Sequence, residues 1–184
     1  WAGPGPQPVA DGFVTRAGVF SEDGPDPGSA ALALALPRHL GPRVADLGAG
    51  WGYLSRAILD RDGVTELHLV EADHAALDCA RLNIDDPRAR FHWADARTFA
   101  PDTPLDTVVT NPPFHTGRAA DPGLGRAFIA AAARMLVPKG GLWLVANRHL
   151  PYEHALRESF RSVTETGGDA GFKILHATHP VRQR

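Results

Sequence analysis

The stretch VADLGAGWGYLS, Val44–Ser55, sets a short apolar run ending in an acid against three glycines at alternate positions, followed by a segment of helical character. Glycine permits positive φ and lets a ligand approach the backbone, while the start of the next helix offers free N–H groups. The segment therefore reads as strand, tight turn and helix. This is the opening unit of an open α/β sheet, in which a ligand is expected beyond the carboxyl end of the strand.

Outward from this unit, strand-length apolar runs alternate with helix-length amphipathic stretches. ELHLVEAD (66–73) precedes HAALDCARLNID (74–85), and RFHWAD (90–95) precedes a loop. DTVVTN (106–111) leads through a Pro/Gly-rich loop to GRAFIAAAARMLVPKG (125–140), in which Phe128, Ala131, Ala132 and Met135 share a core-packing face. GLWLVAN (141–147) precedes the helical pattern YEHALRESFRSV (152–163), and GFKILHATHP (171–180) carries one more strand after the turn at Gly167–Gly168. Upstream, DPGSAALALALPRHL (26–40) reads as a helix capped near Asp26 or Ser29 and broken at Pro37. Near-continuous apolar strands alternating with helices predict a doubly wound, Rossmann-like α/β fold with a mostly parallel sheet. The first residues, WAGPGPQPVADG, are too rich in Pro and Gly for a helix or central strand. Residues 1–14 are read as a linker, residues 15–184 as one domain, and the chain as a fragment of something longer.

Glycine spacing selects the ligand. Dinucleotide sites use G-x-G-x-x-G, whereas Gly48, Gly50 and Gly52 give G-x-G-x-G with Asp46 two residues upstream. An acid there sits poorly beside a pyrophosphate and suits a ligand carrying an ammonium group, such as S-adenosylmethionine. Gly48, Ala49, Gly50 and Gly52, with Asp46, form the expected cofactor loop. Glu71, followed by Ala72, ends the second strand and is placed to accept the ribose hydroxyls, while Asp73 caps the next helix. Asp95 ends the third strand and could bond an adenine amine, with Ala94 and Ala96 leaving room for the ring.

The fourth strand ends in VVTNPPFHTG, Val108–Gly117, across the sheet from the glycine loop. Asn111 offers a carbonyl acceptor and an NH2 donor pair. Pro112 and Pro113 fix two φ angles and remove two donors, leaving carbonyls as the local polar groups, and Phe114 offers a face for a planar base. Asn111, Pro112, Pro113 and Phe114 are the candidate catalytic residues, suited to an exocyclic amine whose lone pair is delocalised into a ring. Two acceptors for its N–H groups would favour a pyramidal nitrogen and aim that lone pair at a methyl group.

The net charge of −2 gives no bulk grip on nucleic acid. Its distribution is uneven: residues 1–113 hold 9 Lys and Arg against 16 Asp and Glu, net −7, and residues 114–184 hold 10 against 5, net +5. His115, Arg118, Arg126, Lys139, Arg148 and Lys173 are candidate RNA contacts. No run approaches the ~18 apolar residues of a membrane span, and no basic-then-apolar leader opens the chain. The single cysteine, Cys79, excludes an intrachain disulfide. A soluble, cytoplasmic protein is expected. The nine histidines are scattered, and no metal site is expected.

AGVFSEDGPDPGSAALAL, VADLGAGWG, VVTNPPFHTG, LWLVANRHLPY and GFKIL, in that order, resemble the carboxy-terminal catalytic domain of the ribosomal RNA guanine-N2 methyltransferases. The small-subunit branch looks nearer than the large-subunit one. The resemblance implies a seven-stranded sheet with its last strand antiparallel and methyl transfer from S-adenosylmethionine to the guanine amine, with S-adenosylhomocysteine as co-product. It also implies a preceding degenerate domain that helps bind RNA. Phe20 and Ser21 match its upstream cofactor loop. Trp51 is bulkier than the family pattern and leaves the loop's detailed shape open. The expected partner is ribosomal RNA or a ribosomal subunit, and a monomer is expected rather than an obligate oligomer. The rivals are an N-methyltransferase acting on adenine or a protein glutamine, both served by an Asn-Pro-Pro-aromatic loop, and an inactive RNA-binding module. A nicotinamide-dependent dehydrogenase fails on glycine spacing.

Overall fold

The computed structural model describes residues 5–113, 115–116 and 119–182, with the backbone alone given for residues 115, 116, 119 and 120. At the amino end β1 (Gln7–Pro8) pairs antiparallel with β2 (Val14–Thr15), and α1 (Pro27–Ala35) follows. Then come β3 (Arg43–Leu47), α2 (Tyr53–Leu59), β4 (Glu66–Glu71), α3 (His74–Asn83), β5 (Ala89–Trp93) and β6 (Leu105–Thr110). A ribbon of β7 (His115–Thr116) and β8 (Ala119–Ala120) leads to α4 (Pro122–Met135), β9 (Leu136–Asn147), α5 (Tyr152–Ser159), β10 (Phe160–Gly168) and β11 (Phe172–Pro180).

Seven strands form one sheet in the order β10-β11-β9-β6-β3-β4-β5. The pairs among β9, β6, β3, β4 and β5 are parallel, and β11 runs antiparallel to both its neighbours. After β5 the chain crosses to β6 on the other side of β3, so strand order reverses between β3 and β6. Helices cover both faces. Ala45, Leu47, Val108, Leu142 and Leu144 face a cluster with α4 and α5, whereas Val44, Leu67, Leu69, Val109 and Val145 face one with α1, α2 and α3. Alternate side chains of a strand point to opposite faces, so near-continuous apolar runs are what a doubly covered sheet requires.

Three segments differ from the sequence reading. The helical pattern over 152–163 ends at Ser159, and Phe160–Gly168 is a further strand. The helix expected to reach Gly140 stops at Met135, where β9 begins. The Pro/Gly-rich start is partly docked: Phe13 is buried in edge-on contact with Trp51, ring centroids 5.0 Å apart. The Asn83 amide completes that docking. It accepts from the Val14 N–H at 2.7 Å and donates to the Val14 carbonyl at 2.8 Å, so it stands in for a neighbouring strand.

Candidate active site

The carboxyl ends of β3, β4, β5 and β6 enclose a cleft of about 490 Å3. Its position follows from register: Leu47 lies level with Val70 on one side and Thr110 on the other. The Thr110 hydroxyl donates to the Leu47 carbonyl at 2.7 Å, tying the start of the Asn-Pro-Pro corner to the start of the glycine loop. A threonine in a strand gives no signal of such a bond in the sequence.

Gly48, Gly50 and Gly52 have φ of 73°, 55° and 94°, a region L side chains rarely enter. They do separate work. A Cβ at Gly48 would lie 3.3 Å from the Phe128 ring, and one at Gly52 would lie 3.2 Å from Ile84, whereas Gly50 faces open space. Gly48 and Gly50 line the cleft, Ala49 lines a smaller adjoining recess of about 50 Å3, and Gly52 packs against α3. Trp51 turns into the core, and its indole N–H donates to the Phe20 carbonyl at 3.1 Å. The bulky residue thus tethers the upstream loop, and the Phe20 side chain, 61% exposed, stands at the lip of the cleft.

Asp46 does not line the cleft. It is fully buried on the α2 side, where the Ser55 hydroxyl donates to its Oδ2 at 2.7 Å, and its Oδ1 has no hydrogen-bond partner among the described residues. Burial pushes its carboxyl up to about 7; the Ser55 bond opposes this, and the nearby Glu71 charge adds to it. A contact between Asp46 and a ligand ammonium is therefore replaced by a role beneath the loop.

Glu71 is on the cleft wall. Its Oε2 accepts from the Gly50 N–H at 2.8 Å and its Oε1 from the Asp73 N–H at 2.7 Å, so two backbone donors fix the carboxylate and leave lone pairs free. Ala72, Asp95 and Ala96 continue the wall. Arg97 clasps Asp95, with Nε at 2.9 Å from Oδ1 and Nη2 at 2.6 Å from Oδ2, and these bonds hold the Asp95 carboxyl below the usual range. An adenine amine would have to share that carboxylate with Arg97. Leu124 and Phe128 of α4 add apolar wall. Phe128, expected in the core, thus also reaches the cleft, since one helical stripe serves both purposes.

Asn111, Pro112 and Pro113 stand opposite the glycine loop. The Asn111 Nδ2 donates to Asp26 Oδ2 and to Ser29 Oγ, each at 2.9 Å, and its Oδ1 accepts from no described residue. Of the two candidates for the cap of α1, Asp26 is the one, accepting from the Ser29 N–H, but neither announces itself in the sequence as the partner of a residue 85 or 82 positions away. Phe114 and Arg118 lie outside the described residues, and His115 is described by its backbone alone.

Two of the expected RNA contacts make bonds within the chain. Lys173 is buried, its ammonium donating to the Leu150 carbonyl at 2.6 Å and to Glu153 Oε1 at 2.7 Å. Arg148 binds Glu165 Oε1 at 3.0 Å and the carbonyls of Asp169 and Phe172 at 2.7 and 3.0 Å, clamping the β10–β11 hairpin. A cation in a sequence shows its charge and not the carboxylate or carbonyl that consumes it. Lys139 lies near the start of β9, at the end of the sheet away from the cleft, and Arg126 is exposed on α4.

Comparison with known proteins agrees with this geometry. A family model described as "Methyltransferase small domain" matches residues 11–176. The chain is 36% identical to a Ribosomal RNA large subunit methyltransferase G of Ectopseudomonas mendocina over 90% of its length and 46% of the relative's. It is 34% identical to the protein of the same name from Aeromonas salmonicida, over 88% and 45%. The chain thus spans about half the length of the curated relatives it matches. Among solved structures, a T. thermophilus 16S rRNA N2 methyltransferase in complex with AdoMet and guanosine superposes with a TM-score of 0.72 at 30% identity, over 94% of this chain and 49% of that one. With its glycine loop, strand-end acids and Asn-Pro-Pro corner enclosing one cleft, the chain belongs to the methyltransferase small domain family.

Proposed function

We propose that this chain transfers a methyl group from S-adenosylmethionine to the exocyclic N2 amine of a guanine in ribosomal RNA. The observation that carries the reading is the Asn111 amide. With Nδ2 committed to Asp26 and Ser29, its Oδ1 is left as an acceptor on a residue that lines the cleft.

The cleft fits the cofactor of this family. Its size is that of a small-molecule site, its walls are largely apolar, and Glu71 presents a fixed carboxylate with lone pairs to spare. Glu71 would hold the ribose, Asp95 the adenine amine, and the backbone at Gly48 and Gly50 the methionyl arm. When bound, S-adenosylmethionine supplies an electrophilic methyl group on a sulfonium. The protein's own task is positioning. Asn111 Oδ1 and the Pro112 carbonyl would accept the two N–H bonds of the amine, opposing delocalisation of its lone pair and directing it along the displacement axis. No strong base is required, because the proton leaves once the nitrogen has become cationic. Phe114 would stack on the base, and a paired guanine would first be flipped out at a cost of about a few kcal/mol.

The choice of RNA subunit is open to a direct test. The small-subunit preference drawn from the sequence is not carried by the relatives at 34–36% identity, which bear a large-subunit name, so large-subunit RNA is the first substrate to try. Purified chain with tritiated cofactor should label one ribosomal RNA species in preference to DNA and to protein. Label confined to protein or DNA would overturn the reading.

A further inference from the structure

We propose that Asp26 is a positioning residue for methyl transfer: its carboxylate fixes the Asn111 amide in the one orientation that presents Oδ1 to the substrate amine. The inference rests on the reading of Asn111 given above. A side-chain amide is nearly symmetric in shape, and a half-turn exchanges acceptor for donor. Turned the wrong way, Asn111 would offer N–H groups to an amine that itself must donate, and its contact with the amine would be lost.

Asp26 discriminates between the two orientations where Ser29 cannot. A hydroxyl donates or accepts and so tolerates either, whereas a carboxylate only accepts. Asp26 Oδ2 lies 2.9 Å from Asn111 Nδ2, and the flipped amide would set Oδ1 against that oxygen. The carboxylate is itself held: the Ser29 N–H donates to the same Oδ2 at 2.8 Å as the cap of α1, and Pro27 starts the helix. Gly28 leaves the space, since a Cβ there would lie 3.0 Å from Asp26 Oδ2 and 3.3 Å from the Phe172 ring. The sequence Asp26-Pro27-Gly28-Ser29 is thus a helix start whose cap doubles as the support of a residue just beyond the end of β6. Asp26, Ser29 and Asn111 line one recess with Gly48 and Gly50, so the support stands beside the cofactor loop.

The test compares Asp26→Ala with Asp26→Asn in four readouts: melting temperature, S-adenosylmethionine affinity by calorimetry, single-turnover methyl transfer to ribosomal RNA, and the 15N-resolved Asn111 side-chain amide signal. Asp26→Ala should keep cofactor affinity within about threefold, slow transfer roughly 30- to 100-fold, and move the Asn111 signal toward that of a free amide. Asparagine is a good helix cap, so Asp26→Asn should recover the melting temperature. It should still transfer roughly tenfold slower than wild type, because a neutral amide no longer repels the flipped form. Wild-type transfer in Asp26→Asn, or an unmoved Asn111 signal in Asp26→Ala, would overturn the proposal. A signal that moves while the wild-type chain methylates nothing would instead overturn the proposed function and uphold the contact.

Discussion

Asn111 and Asp46 are both polar residues at the end of a strand, and what surrounds each gives it a different task. Asn111 keeps one acceptor in reserve by spending both donors on Asp26 and Ser29. Replacing it with alanine should leave cofactor affinity within about threefold while single-turnover transfer falls by roughly 10²-fold or more; loss of both together would mean that the corner only shapes the fold. Asp46 has an oxygen with no partner among the described residues, and its effect belongs to stability. Its carboxyl is raised from an ordinary 3.8 to about 7, so between those values the folded chain holds a proton that the unfolded chain has released. Stability from this group therefore falls as pH rises through that window and is level above it, by at most about 4 kcal/mol. Urea denaturation of wild type and Asp46→Asn from pH 4 to 8 should show the wild type losing ground to the variant. Parallel curves would refute the assignment.

At the scale of elements, what could be read from the sequence was what local sterics decide. The glycine loop, the caps at Asp26 and Asp73 and the strand ends all announce themselves within a few residues. Phe160–Gly168 did not, because a polar edge strand pairs with one neighbour and buries few side chains, so it lacks the apolar run that marks the inner strands. Packing between helices was equally silent. Gly125 on α4 lies so close to Tyr152 on α5 that a Cβ would fall 2.0 Å from the phenol oxygen, which is buried without a partner among the described residues. Gly125→Ala should cost about 1–3 kcal/mol or more by overpacking and loosen the helix that carries Leu124 and Phe128 to the cleft. Tyr152→Phe should be neutral or stabilising by about 1 kcal/mol, since it deletes an unsatisfied hydroxyl. Thermal melts of both variants check the pair, and a destabilised Tyr152→Phe would show that the hydroxyl has a partner after all.

Across the whole molecule, the site is an assembly of segments that the sequence holds far apart. Four strand ends, the upstream loop and α4 meet only because the strand order reverses between β3 and β6. Residues whose chemistry is carried by their own type, such as Glu71 and Asn111, could be nominated in advance. Those defined by a distant partner could not: Asp26 and Ser29 bond the Asn111 amide, while Arg148 and Lys173 bond Glu165, Glu153 and backbone carbonyls. Among the described residues of 114–184, part of the positive charge is accordingly engaged within the chain. Among the described residues no helix is long and apolar enough to cross a membrane. The central claim is that this cleft delivers a methyl group to guanine N2, and nucleoside mass spectrometry tests it most directly. Ribosomal RNA incubated with the chain and S-adenosylmethionine bearing a CD3 group should yield N2-CD3-methylguanosine, and Asn111→Ala should abolish it. The deuterated methyl appearing on adenine N6, or in protein glutamine and not in RNA, would contradict the account.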